Sequence, residues 1–306
     1  MNEITTSDIY KCFRLNHLPD DLGHFIKNCD LSYQNFSSID REKLVIETLK
    51  KINSDTQIIS SETRKQVWEN GWCENYEKSV IDFSELSITP NFIRPSKIFR
   101  WKQEYIQPSS LDFEINIVRV INAWIGILFS EYSHIYEFGC GSCFNIYQLT
   151  KKYPQKKIFG LDFVQSSINI VKLLGEKVNP NVCGKLFDMK RPDTSFVLKE
   201  NSAVLTFGAI EQLSGEFHEF LHYLIKNRVS LCVHIEPIVE LYDENNLIDY
   251  LAIMFHKKRG YTVGFLSYLQ LLEKEKKIEI VDFRRTFFGS RMMEGYTYII
   301  WRPIET

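Results

Sequence analysis

The residues with the clearest chemical potential fall in four short strings. Glu137-Phe138-Gly139-Cys140-Gly141 ends an apolar run and carries two glycines one residue apart. Glycines at such a turn remove Cβ atoms and let the chain bend sharply. They admit a ligand to the backbone, while the next helix offers free N–H groups. Phe144 stands where a dinucleotide fingerprint needs its third glycine, so a cofactor without a pyrophosphate fits better. Twenty-one residues beyond Gly141, Asp162 and Phe163 end the run KIFGLDF. A carboxylate there can accept both hydroxyls of a ribose. Asp188 and Met189 follow in GKLFDMKRP, where an acidic side chain can accept from an adenine amino group. NSAVLTFGAIEQLS then places Phe207 and Gly208 at the exit of a fourth run.

Candidate acids and bases lie near the exits of the fourth and fifth runs. They are Glu211, His234 and Glu236, with His256 opening the run His-Lys-Lys-Arg-Gly-Tyr. In LCVHIEP the two-residue period puts His234 and Glu236 on one side of a strand. Two metal-like strings are weaker. Cys140 and Cys143 form a C-x-x-C, but Cys12, Cys29, Cys73, Cys183 and Cys232 provide no second pair for a zinc site. His218-Glu219-Phe220-Leu221-His222 spells H-E-x-x-H without an evident third ligand. No metal site is expected.

These strings need an alternating framework to position them. Strand-type runs lie at 135–138, 157–161, 182–187, 203–207, 231–235, 278–283 and 296–301, with helical runs between most of them. That alternation predicts a mainly parallel sheet covered on both faces, with the last two strands antiparallel. Residues 1–110 read as a mainly helical extension. One helix spans Asp40–Ile52 with Ser38 or Asp40 as N-cap, and a second spans Ser61–Tyr76. The aromatic, basic stretch 94–105 reads either as a segment packed against the sheet edge or as a lid.

The ordered strings EFGCG, GLDF, FDM and LTFGAIEQL resemble the class I S-adenosylmethionine-dependent methyltransferases. The resemblance implies an α/β, Rossmann-like, seven-stranded, mostly parallel sheet over residues 111–306. It also implies S-adenosylmethionine as cofactor. Glu137, Gly139, Cys140 and Gly141 would form the cofactor loop, and Asp162 with Phe163 would take the ribose. Asp188 and Met189 would read the adenine, and Phe207, Gly208 and the residues up to Glu211 would border the methyl donor and acceptor.

The chain has 306 residues, 37 Lys plus Arg and 39 Asp plus Glu, a formal charge of -2. No bulk positive field exists to hold a nucleic-acid backbone. No apolar run reaches membrane-spanning length, and the N-terminus lacks a signal-peptide pattern, so a cytoplasmic protein is expected. The expected reaction is O- or N-methylation of a small metabolite of secondary or cell-surface biosynthesis. If Lys257, Lys258, Arg259, Arg284, Arg285 and Arg291 converge on the pocket with Arg94 or Arg100, that acceptor is anionic, such as a phosphorylated, nucleotide- or sugar-linked compound. The alternatives are a protein- or tRNA-directed methyltransferase that uses its N-terminal helices for recognition, and a non-catalytic cofactor-binding module.

Overall fold

A computed structural model describes residues 1–14, 20–59, 64–93 and 96–304. The first part runs β1 (Asn2–Glu3), α1 (Thr6–Phe13), α2 (Asp20–Asn28), β2 (Ser32–Asn35), α3 (Ser38–Ser54), α4 (Arg64–Ile81), α5 (Glu85–Ile88), β3 (Phe99–Trp101) and β4 (Glu104–Pro108). The second runs α6 (Phe113–Leu128), β5 (His134–Phe138), α7 (Phe144–Lys152), β6 (Lys157–Asp162), α8 (Gln165–Lys177), β7 (Val182–Leu186), β8 (Ser202–Phe207), α9 (His218–Lys226) and β9 (Leu231–Glu236). It closes with α10 (Leu247–Arg259), α11 (Phe265–Lys274), β10 (Ile278–Arg284), β11 (Phe288–Ser290) and β12 (Thr297–Pro303).

Seven strands form one sheet in the order β10-β12-β9-β8-β5-β6-β7. Only β12 pairs antiparallel, with β9 on one side and β10 on the other. This is the expected Rossmann-like sheet, and each strand lies within two residues of its sequence-based bounds. Residues alternate between its faces with the period of two. Ile135 of β5 joins a core built with Ile121, Trp124 and Ile125 of α6 and with α7 and α8. Tyr136 and Phe138 join the opposite core, with Phe220 and Leu224 of α9 and Leu269 of α11. Residues of β8 and β9 are buried almost throughout, so both read as near-continuous apolar runs.

The first 110 residues contain the expected helices and also four strands of a second sheet, in the order β1-β2-β4-β3-β11, with β11 supplied from the far end of the sequence. Of the two readings of 94–105, the described residues from 96 onward favour packing over a lid. They enter the β3–β4 hairpin, which turns at Lys102 and Gln103 with φ of 48° and 63°. β2 flanks that hairpin on one side and β11 on the other, and Phe99, Arg100 and Trp101 are all buried. Trp101 stacks on Phe288 of β11 with ring centroids 4.3 Å apart. The α3 cap is Ser37, whose hydroxyl accepts from the Asp40 N–H at 3.1 Å, one residue before the expected position.

Helix α4 packs along α8. Val164, at the N-cap of α8, makes no side-chain cap bond. Glu69 of α4 replaces it, accepting from the N–H groups of Gln165 at 2.8 Å and Ser166 at 2.9 Å. A carboxylate there satisfies orphan donors and complements the helix dipole. Among the described residues, no helix is long and apolar enough to cross a membrane.

Candidate functional site

The exits of β5, β6, β7 and β8 open into one cleft of about 310 Å³. Six of the ten expected cofactor residues line it: Gly139, Asp162, Phe163, Asp188, Met189 and Gly208. Gly139 has φ of +72°, and a Cβ there would stand 2.5 Å from Ala209 Cβ. The loop after β5 can therefore press against the loop after β8 only with glycine in place. Gly208 has φ of +63° and nothing within 4 Å of its Cβ direction.

Asp162 ties the glycine loop to the end of β6. Its Oδ2 accepts from the Gly141 N–H at 2.8 Å, and its Oδ1 from the Val164 N–H at 3.2 Å. Burial pushes its carboxyl up to about 6, opposed by those backbone donors. Asp188 is exposed, and its Oδ1 accepts from the Lys190 N–H at 2.9 Å. The two carboxylates thus share a cleft with Gly139, as the sequence reading required.

The other four expected cofactor residues do not line the cleft. Glu137 is buried beneath the loop, and its Oε1 accepts from Asn145 Nδ2 at 2.7 Å. Its Oε2 is buried without a hydrogen-bond partner, and burial raises its carboxyl to about 8. Cys140 is buried, with Sγ 4.0 Å from that of Cys143, and both thiols are free. Gly141 packs against Trp72, and Phe207 against Tyr296, with ring centroids 5.8 Å apart in the latter pair.

The remaining wall comes from α4, which sequence reasoning did not assign to the site. Arg64, Lys65, Trp68 and Trp72 line the cleft with nearby Ile59. Trp68 and Trp72 stack with centroids 5.4 Å apart, and a Cβ on Gly141 would meet the Trp72 ring at 2.7 Å. The signal was available: tryptophans four residues apart share one helix face. Arg64 donates through Nη2 to Gln212 Oε1 at 3.2 Å. The cations expected to converge lie elsewhere. Arg259 pairs with Asp55, Arg285 with Asp249 and Glu294, and Arg291 with Glu47. Arg100 is buried in the second sheet, Lys257, Lys258 and Arg284 do not line the cleft, and Arg94 lies outside the described residues.

None of the four acid–base candidates lines the cleft. His234 and Glu236 do share a strand face, joined through Thr206. Trp301 Nε1–H donates to His234 Nε2 at 2.8 Å, which leaves the ring proton on Nδ1, facing Thr206 Oγ1 at 2.9 Å. Thr206 donates in turn to Glu236 Oε1 at 2.7 Å. Burial holds His234 neutral, down to about 3. Glu236 also accepts from the N–H groups of Ala209, Ile210 and Glu211, so this carboxylate shapes the turn after β8. Burial lifts it to about 7. Both ring nitrogens of His234 are occupied in the core, which removes it as a base for a ligand in the cleft. His256 is buried with Nε2 on the Thr262 carbonyl at 2.7 Å, and it too is a packing residue. Glu211 stays beside the cleft through Gln212, which lines it and donates to Glu211 Oε1 at 2.7 Å. Burial, then the nearby Glu236, raises Glu211 to about 8.

Among the described residues, no group of three or more His, Cys, Asp or Glu is arranged to hold a metal ion. His222 of the H-E-x-x-H string meets the Tyr268 hydroxyl at 3.0 Å, and His218 stacks on Phe217.

No family model matches the sequence, and no curated protein sequence matches it. Solved structures do show likeness in shape. Human N-acetylserotonin methyltransferase, solved with S-adenosylmethionine, aligns with 88% of this chain and 68% of its own, at 12% identity and a TM-score of 0.47. The methyltransferase domain of a bacterial Hen1 aligns with 62% of this chain and 100% of its own, at 13% identity and a TM-score of 0.47. Mitomycin 7-O-methyltransferase aligns with 84% of this chain and 75% of its own, at 11% identity and a TM-score of 0.44.

Proposed function

We propose that the cleft binds S-adenosylmethionine and that the chain transfers its methyl group to an oxygen or nitrogen atom of a small molecule. One observation carries this reading: two carboxylates, Asp162 and Asp188, and two positive-φ glycines, Gly139 and Gly208, from four strand exits line a single cleft. The donor set suits a nucleoside with a charged amino-acid tail. Asp162 would accept from the sugar hydroxyls, and Asp188 with the Met189 backbone would meet the adenine edge. Gly208, with nothing within 4 Å of its Cβ direction, leaves room beside the tail.

When bound, the cofactor supplies an activated methyl group. The protein's part is to align donor and acceptor and to keep water out. The Trp68–Trp72 pair supports water exclusion, because it closes the cleft with flat apolar surface. The Trp68–Trp72 wall on the α4 side of the cleft suits a small acceptor better than a macromolecule. Arg64 and Lys65 at its wall support an anionic one.

Calorimetry with S-adenosylmethionine tests the cofactor assignment. Wild type should bind, and Asp162→Ala should weaken binding at least about tenfold, the scale of a lost hydrogen bond to a charged group. No binding by wild type, or equal binding by the variant, would overturn the assignment.

A further inference from the structure

Helices α2, α5, α6 and α7 line a second cavity of about 490 Å³, which shares no residue with the cofactor cleft. That volume is in the range that takes a small molecule whole. Phe25 and Leu149 give it apolar wall, and three cations stand against one carboxylate, Glu85. Its two remaining polar residues, Asn122 of α6 and Gln148 of α7, each bury an atom without a hydrogen-bond partner: Asn122 Oδ1 and Gln148 Nε2. The orientation of the Asn122 amide is fixed. The Val118 carbonyl can only accept, so Asn122 presents Nδ2 to it at 3.0 Å, and the same nitrogen donates to Asn145 Oδ1 at 2.8 Å. Oδ1 is the end left over, on a side chain only 3% exposed. An orphaned acceptor and an orphaned donor on neighbouring helices of one cavity are costly unless a single guest meets both.

We propose that this cavity is a second ligand site and that its ligand is a small, flat lactam carrying an acid group. A lactam presents an N–H and a C=O side by side. Its N–H donates to Asn122 Oδ1, and its carbonyl accepts from Gln148 Nε2. A carboxylate alone has no proton for Asn122, and an ammonium has no lone pair for Gln148, so neither answers both atoms. The ring lies against Phe25 and Leu149. The acid group meets Lys151, whose charge is little used within the protein. Glu85 is held by Arg119 at 2.7 Å and stands 3.9 Å from Lys151. A charge-assisted contact to the lysine then adds to the two amide bonds. The site does not depend on the cofactor reading, because none of its residues lines the cleft. It is nevertheless close to it in bonding terms. Asn145, which holds Asn122, donates through Nδ2 to Glu137 beneath the glycine loop at 2.7 Å.

The test is calorimetry on the full chain, without cofactor, using three matched probes. Orotate is a flat lactam acid, benzoate a flat acid without the lactam, and uracil a lactam without the acid. Orotate should bind, and benzoate and uracil should each bind at least about tenfold more weakly, the scale of one buried polar contact left unmade. Gln148→Leu removes the donor without breaking any side-chain bond described in the structure. It should weaken orotate about tenfold and leave the melting temperature unchanged. Lys151→Ala should bring orotate down toward uracil. Asn122→Leu should weaken both lactams; it also severs the bond to Asn145, so the Gln148 variant carries the test should that chain fail to fold. Asp162→Ala should leave orotate binding intact, which separates this site from the cleft. The proposal is wrong if wild type does not bind orotate, if benzoate binds as tightly, if Gln148→Leu binds like wild type, or if Asp162→Ala abolishes binding. None of those results touches the calorimetry with S-adenosylmethionine, so the two readings fail separately.

Discussion

Two glycines at the cleft offer a matched comparison, because both have positive φ but different surroundings. Alanine in the left-handed region costs about 1–2 kcal/mol in either place. At Gly139 the new methyl would also stand 2.5 Å from Ala209 Cβ, an atom fixed to backbone that cannot swing away. Overpacking of that kind adds about 1–3 kcal/mol. Gly139→Ala should therefore lose about 2–5 kcal/mol in urea unfolding followed by circular dichroism. At Gly208 no atom lies within 4 Å of the Cβ direction, so only the backbone cost applies, about 1–2 kcal/mol. The Gly208 methyl would project into the cleft, so cofactor affinity should drop at least about tenfold despite the small loss of stability. The experiment needs unfolding curves and calorimetry on both variants. If Gly208→Ala is the less stable of the two, or binds cofactor like wild type, the account of how these loops meet is wrong.

Glu69→Ala removes the acceptor for two N–H groups opening α8 and should cost about 0.5–2 kcal/mol by thermal unfolding; an unchanged melting point would show that solvent caps the helix equally well. Burial holds Glu137 up to about 8, Glu236 up to about 7 and Asp162 up to about 6. In the unfolded chain all three ionise near pH 4, so between about pH 4.5 and 8 the native state binds more protons and stability falls as pH rises. Calorimetric melting should show that fall, and Glu137→Gln should flatten it; a rise across the window would contradict the burial assignments. Burial raises the Cys140 and Cys143 thiols, so a disulfide reagent should label them only on unfolding. Rapid labelling of the native protein would refute that.

The sheet was legible because each strand carries its own local signature. Apolar runs such as AVLTF and LCVHI, punctuated by amphipathic helices, need no distant partner to be recognised. The cleft carboxylates were legible for the same reason, since each stands at a strand end. The second sheet was hidden. β3 and β11 are three residues each and pair across nearly two hundred positions. The β3–β4 hairpin turns at Lys102-Gln103, both in the left-handed region, where Asn-Gly or Asp-Gly is the recognisable pair. The acid–base candidates failed on burial: periodicity puts His234 and Glu236 on one face, but not whether that face meets ligand or Trp301.

β11 gives the second sheet a dependence on timing. Its strands nearest the start of the chain are synthesised early, yet the flank of the β3–β4 hairpin stays open until residues 288–290 leave the ribosome. A fragment ending near residue 110 would therefore expose a naked hydrogen-bonding edge beside Trp101, ready to recruit a foreign strand. The maturation of this region waits on translation of residues 288–290.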